Sequence, residues 1–147
     1  MRTLLFEHRG ERFGLDVARV VEVVPAVRWR SLGGLPPFAL GVFERHGRLL
    51  PLVDASILLG GEPTVLRVGS RIAVVPLAEG DAAPLGGLLL ESTLGLEEVD
   101  FAAAEAFVGA AGARGPVARH ADGSVQLVRP DRLLDREQLA RILGEAA

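Results

Sequence analysis

An all-β fold of two small barrels sharing one domain, with a single helix at the C-terminal end, is what this sequence predicts. Three observations carry that prediction. Short runs of β-branched and apolar residues recur along the chain, each bounded by turns bearing glycine or proline. One such hairpin pattern, at residues 41–59, is echoed at residues 115–134. A clear helical stripe with a start signal is found only at the end, over Asp135–Ala147.

Composition sets the outer bounds. The chain has 147 residues, 49% hydrophobic and 24% charged, which suits one globular domain. A domain of this size buries roughly 70% of its unfolded surface, so neither metal nor disulfide is required for stability. The absence of Cys excludes disulfides, thiolate zinc sites and thiol nucleophiles together. All 16 basic residues are Arg, they are scattered, and the net charge is −3, so no nucleic-acid footprint emerges. The apolar run at the start is too short for a signal peptide, and nothing approaches the ~18 apolar residues of a membrane span. The expectation is a soluble, cytoplasmic protein with no direct membrane insertion.

Taken in order, Thr3–His8 and Arg12–Asp16 read as strands around a turn at Arg9-Gly10-Glu11. Val17–Val24 reads as one β-type run, in which alternation puts Val20, Glu22 and Val24 on one face and Val21 and Val23 on the other. Glu22 between two valines is read as a solvent-facing group of an edge strand, with a partner contact as the second reading. The irregular stretch Pro25–Pro37 holds the chain's one Trp, Trp29, between Arg28 and Arg30. The expectation is that Trp29 plugs a barrel rim with the arginine stems beside it. The alternative is a stand-alone barrel binding a peptide or nucleic acid through Arg28, Trp29 and Arg30, against which one aromatic makes a poor stacking platform.

Residues 41–60 read as strand, turn at His46-Gly47-Arg48, strand, then a short helical turn capped by Asp54 and stopped by Gly60-Gly61. Pro51 places its strand at an edge or on a bulge. Thr64–Val68, Arg71–Leu77 and Leu85–Ser92 are expected strands, and Leu94–Val99 a further short strand or turn. Phe101–Gly115 is Ala- and Gly-rich, a helix or loop of low information. The echo follows: Arg45-His46 matches Arg119-His120, Gly47 matches Gly123, Asp54 matches Asp131, and Leu58-Leu59 matches Leu133-Leu134. In the last helix Asp135 and Gln138 form a capping box, and Leu139, Ile142 and Leu143 form a stripe that docks on the barrels.

Catalytic patterns are missing from the sequence. His8, His46 and His120 are not spaced as metal ligands, and no phosphate-binding loop or nucleophile elbow is present. No enzyme activity, metal or cofactor is expected.

One ordered set of motifs carries a resemblance. It comprises Val20-Val21-Glu22-Val23, Leu35-Pro36, Gly41-Val42, Glu44-Arg45-His46-Gly47, Pro51-Leu52-Val53-Asp54 and Leu58-Leu59-Gly60. Leu94-Gly95-Leu96-Glu97-Glu98-Val99, Asp122-Gly123 and Pro130-Asp131-Arg132-Leu133-Leu134 extend it over nearly the whole chain. In order and spacing it resembles the CheW family, the coupling proteins of bacterial chemosensory arrays. That resemblance implies two SH3-like five-stranded barrels packed on a shared core, in one domain spanning 1–147 in which hairpins 41–59 and 115–134 are equivalent. It implies a non-catalytic adaptor bridging the cytoplasmic tip of a methyl-accepting chemoreceptor and the regulatory domain of a CheA-type histidine kinase. The setting would be membrane-associated receptor arrays, in chemotaxis or in a divergent pathway controlling pili or gliding. Receptor-binding residues implied by the resemblance are Val20, Glu22, Gly41, His46 and Gly47. Where the family has Asn-Leu-Arg before the turn glycine, this chain has Glu44-Arg45-His46. Regular alternation would place Glu44 beside His46 and turn Arg45 to the opposite face.

Overall fold

The computed structural model describes residues 1–26, 28–102 and 112–144. Ten strands form two five-stranded sheets. The contiguous sheet takes its strands from one stretch of chain: β3 (Glu22–Pro25), β4 (Ala39–Arg45), β5 (Arg48–Asp54), β6 (Arg71–Pro76) and β7 (Leu85–Leu90). The composite sheet combines both halves of the chain: β1 (Arg2–His8), β2 (Glu11–Asp16), β8 (Ser92–Glu98), β9 (Arg114–His120) and β10 (Gly123–Val128). A short helix α1 (Ala55–Gly60) follows β5, and α2 (Arg136–Leu143) ends the described chain.

The strand orders are β3-β6-β7-β5-β4 and β8-β1-β2-β10-β9. If the composite sheet is counted from β8 through β10 and on to β1 and β2, both follow one connection pattern. In each, a single parallel pair joins antiparallel partners, β5 with β7 and β10 with β2. The β4–β5 and β9–β10 hairpins therefore hold the same two places in their sheets.

Three apolar clusters account for the layers. Phe43, Leu52, Ile72, Val74 and Leu89 fill the inside of the contiguous sheet, with Val24 and Trp29 packed against them. Leu5, Val99, Ala118 and Val125 fill the inside of the composite sheet. Leu4, Phe6, Phe13, Leu15, Val53, Ala73, Val75, Leu88, Leu90 and Val128 form a core shared between the two. Alternation explains the division: Val74 points into its own barrel while Ala73 and Val75 point into the shared core. A strand buried on both faces must be apolar throughout, which is why β6 and β7 read as unbroken apolar runs. Arg114 of β9 adds a tie between the halves, lying 5.7 Å over the Phe13 ring and donating to the Leu59 carbonyl of α1. Leu139 and Ile142 dock α2 on the shared core, and Asp135 with Gln138 forms the expected capping box.

Two expected strands differ. Val17–Val24 is interrupted, because the Asp16 side chain accepts from the Ala18 amide at 3.0 Å and winds Val17–Arg19 into a 3-10 turn. Thr64–Val68 is not a strand. Its amides are taken by side chains instead: Thr64 donates to Asp54, Val65 to Glu91 and Arg67 to Ser70, at 2.9, 2.8 and 2.8 Å. Pro51 lies in an interior strand, just outside the residues of β5 that pair with β7, and a register shift falls nearby between Ala39 and Gly41. The stretch Leu94–Val99, expected as a short strand or turn, lies in β8 up to Glu98. Of the Phe101–Gly115 stretch, residues 103–111 lie outside the described residues.

Two stability predictions follow from specific contacts. Gly41 has φ +140°, and a Cβ there would sit 1.9 Å from the Arg30 carbonyl oxygen. Gly41→Ala should therefore cost well over about 1 kcal/mol, read as a lowered Tm. Glu91 is the single residue between β7 and β8 and is buried. Its carboxylate accepts from Val65 and has Arg67 Nε within 4.0 Å and His8 Nδ1 within 3.6 Å. Glu91→Ala strands the Val65 amide, for an expected loss of about 1–3 kcal/mol. Hydrogen exchange should speed up over residues 62–70 first.

Candidate interaction site

The two edge strands of the contiguous sheet, β3 and β4, lie at opposite ends of its strand order. Glu22 is two residues from Val24, and Arg45 two residues from Phe43, so both share the inward face of their strands. Arg45 Nε donates to Glu22 Oε2 at 2.8 Å. A bond between opposite edges requires the sheet to curl on itself, so this pair spans the seam of the barrel at its hairpin end. The pair is partly shielded, with 21% of the Arg45 side chain and 34% of the Glu22 side chain exposed.

His46 stands outside this pair. With Gly47 it forms the two-residue turn, at φ 50° and 75°, between the paired residues Arg45 and Arg48. Two consecutive positive φ values are what a tight hairpin of the right twist demands. They also take His46 out of the strand alternation. Its imidazole Nε2 comes within 3.7 Å of Glu22, not beside Glu44 as alternation alone would have it, and the side chain is 70% exposed. Val23 of β3 and Val21, just before the strand, are exposed and flank Glu22, and Leu49 is exposed beside the hairpin.

The other positions expected at this site are placed differently. Val20 packs against the shared core. Gly41 is buried, lying under the backbone of Arg30, which exchanges two hydrogen bonds with Val42 at 2.8 and 3.0 Å. Gly47 is at the exposed tip of the turn. Trp29 packs on the barrel core, while Arg28 and Arg30 are exposed. Arg45 is the residue that sequence reasoning missed. Its two-residue spacing from Phe43 was visible, but that β4 closes onto β3 was not.

The composite sheet carries an analogous seam. His120, the last residue of β9, places Nε2 2.9 Å from Glu97 Oε1 on β8, across opposite edges of that sheet. Arg12 donates to the His120 carbonyl at 2.9 Å and fixes that end of the strand. The ladders also correct the sequence echo by one residue. His120 pairs with Gly123 as Arg45 pairs with Arg48, so the counterpart of His120 is Arg45 rather than His46.

Among the described residues no cluster of His, Cys, Asp or Glu is arranged to hold a metal ion, and no helix is long and apolar enough to cross a membrane. Two five-stranded sheets, each curled so that its edge strands meet through a side-chain pair and both packed on one core, define a mostly β scaffold of SH3-like fold. Residues 2–138 match the family model described as the CheW-like domain, and the chain belongs to that family of chemotaxis-type adaptors and scaffolds. It is 30% identical over 92 residues to Protein PilI of Pseudomonas aeruginosa, a match covering 63% of this chain. The match spans 49% of that relative, so this chain corresponds to about half of it. Its fold is similar to the crystal structure of the scaffolding protein TtCheW from Thermoanaerobacter tengcongensis, with a TM-score of 0.81 at 20% identity. That superposition covers 93% of this chain and 89% of the other.

A double-mutant cycle tests the seam. Glu22→Ala, Arg45→Ala and the double variant should give a coupling energy of about 1 kcal/mol in denaturant unfolding, modest because the pair is partly solvated. The same cycle with His46→Ala should give a coupling near zero.

Proposed function

We propose that this chain is a non-catalytic coupling adaptor, binding the regulatory domain of a CheA-type histidine kinase and the cytoplasmic tip of a methyl-accepting chemoreceptor. It would act as one domain over residues 1–147, built from two sub-barrels whose hairpins 41–59 and 115–134 are equivalent. The observation that carries the reading is the seam of the contiguous barrel. There a partly exposed ion pair, Glu22 and Arg45, with the His46 ring beside it, adjoins the exposed apolar residues Val21, Val23 and Leu49. Such a mix of apolar edge and oriented charge suits a protein partner. Family membership supports the kinase and receptor as its partners. In this reading Val20 and Gly41 serve the receptor site from beneath, Val20 by anchoring the start of β3 and Gly41 by letting β4 approach Arg30. Glu22, His46 and Gly47 lie at its surface.

The setting of the reading is cytoplasmic, at membrane-associated receptor arrays, in chemotaxis or a divergent pilus or gliding pathway. The competing use of Arg28, Trp29 and Arg30 for nucleic acid or peptide is disfavoured, because Trp29 packs on the barrel core.

Calorimetry checks the proposal. The chain should bind the regulatory domain of its kinase without nucleotide and without turnover, at micromolar affinity, about −8 kcal/mol. No heat with the regulatory domain of a CheA-type kinase from the same organism would remove the adaptor reading.

A further inference from the structure

We infer that Arg45, rather than His46, is the cationic specificity residue of the proposed receptor site, and that the matching group on the receptor tip is a carboxylate. This inference rests on the adaptor reading and deepens it. It starts from how the guanidinium is held. Glu22 accepts from Nε at 2.8 Å, and among the described residues the terminal Nη atoms have no acceptor. One edge of a planar fork is thus fixed by the chain itself, and the other donors are left at a surface where 21% of the side chain is exposed. A guanidinium immobilised through one nitrogen loses less side-chain freedom when a second acceptor arrives, and its geometry favours a carboxylate taken by two parallel bonds. The Glu22 charge does not repel that second carboxylate outright, because Arg45 lies between the two.

His46 offers a poorer contact. It is 70% exposed, and its nearest carboxylate, Glu22, stands at 3.7 Å, beyond hydrogen-bond distance. Among the described residues no hydrogen bond holds the ring in one rotamer. The cation that an incoming partner meets in a defined direction is the one at the end of β4. The partner that fits is a segment presenting one acidic side chain over the seam, with apolar residues beside it for Val21 and Val23, which are exposed on the adjoining edge.

Binding of the chemoreceptor tip fragment to the full chain tests this, with folding monitored by thermal unfolding. Arg45→Gln should weaken binding tenfold or more, and His46→Ala should change it less than twofold. The exchange variant Glu22→Arg/Arg45→Glu retains an ion pair across the seam but presents a carboxylate to the partner. It should keep a Tm close to that of the unmodified chain and still bind tenfold or more weakly. Reversing the charge of the matching acidic residue on the tip should recover binding to that variant. An Arg45→Gln chain that binds normally would overturn the inference, as would full binding by the exchange variant, since the pair would then serve only to close the seam. If the unmodified chain binds the kinase domain but not the tip, the receptor reading falls and takes this inference with it. That outcome is distinguishable because it appears before any substitution is made.

Discussion

Everything in this molecule depends on the apolar core shared by the two sheets. Each sheet already has an inside, filled by Phe43, Leu52 and Ile72 in one and by Leu5, Ala118 and Val125 in the other. Neither interior is large. The shared core adds Phe6, Phe13, Leu15, Val53, Val75, Leu88 and Leu90, all nearly or fully buried. At roughly 1.5–3 kcal/mol for each large side chain taken out of water, that layer outweighs any ion pair by an order of magnitude. The composite sheet is therefore stabilised as a unit with its neighbour, although its strands come from both halves of the chain.

Because burial supplies the stability, the charged seams are available for other work. Glu22–Arg45 and Glu97–His120 each join the outer strands of a curled sheet near a hairpin turn. A partly solvated pair of this kind contributes about 1 kcal/mol, enough to fix a side chain's direction and too little to determine the fold. The buried polar groups around Glu91 play a different part. They satisfy the amides of a loop that pairs with no strand and that carries the exposed apolar residues Val65, Leu66 and Val68. Desolvated acceptors with bonded donors hold such a loop in one conformation where a ladder is missing.

Family membership and geometry meet at the β4–β5 hairpin. The resemblance pointed to the turn residue His46, whereas the ladders put Arg45 at the strand end with its guanidinium drawn to Glu22. A single residue of register separates the two readings, and in a strand one residue reverses the face. The same slip explains why the sequence echo aligned His46 with His120.

How much was legible follows from the range of each interaction. Local chemistry was readable from the sequence: the caps at Asp54 and Asp135, the chain reversal at His46-Gly47-Arg48, and most of the strands of alternating or continuous apolar residues. The repeated hairpin and the ordered motifs made the two-barrel fold readable too, because they recur in one linear order. Two segments were misread where a side chain competed for the backbone, Asp16 at Val17–Arg19 and Asp54 with Glu91 at Thr64–Val65. Those acceptors were visible as residues, but for Glu91 its place beside the loop was not, since it lies 26 positions away. The sequence alone thus determined most of the strands, the hairpin turns and the family to which they belong. Tertiary structure decided that β3 and β4 close on one another, and so which cation faces Glu22, because that contact joins two edge strands that no ladder pairs.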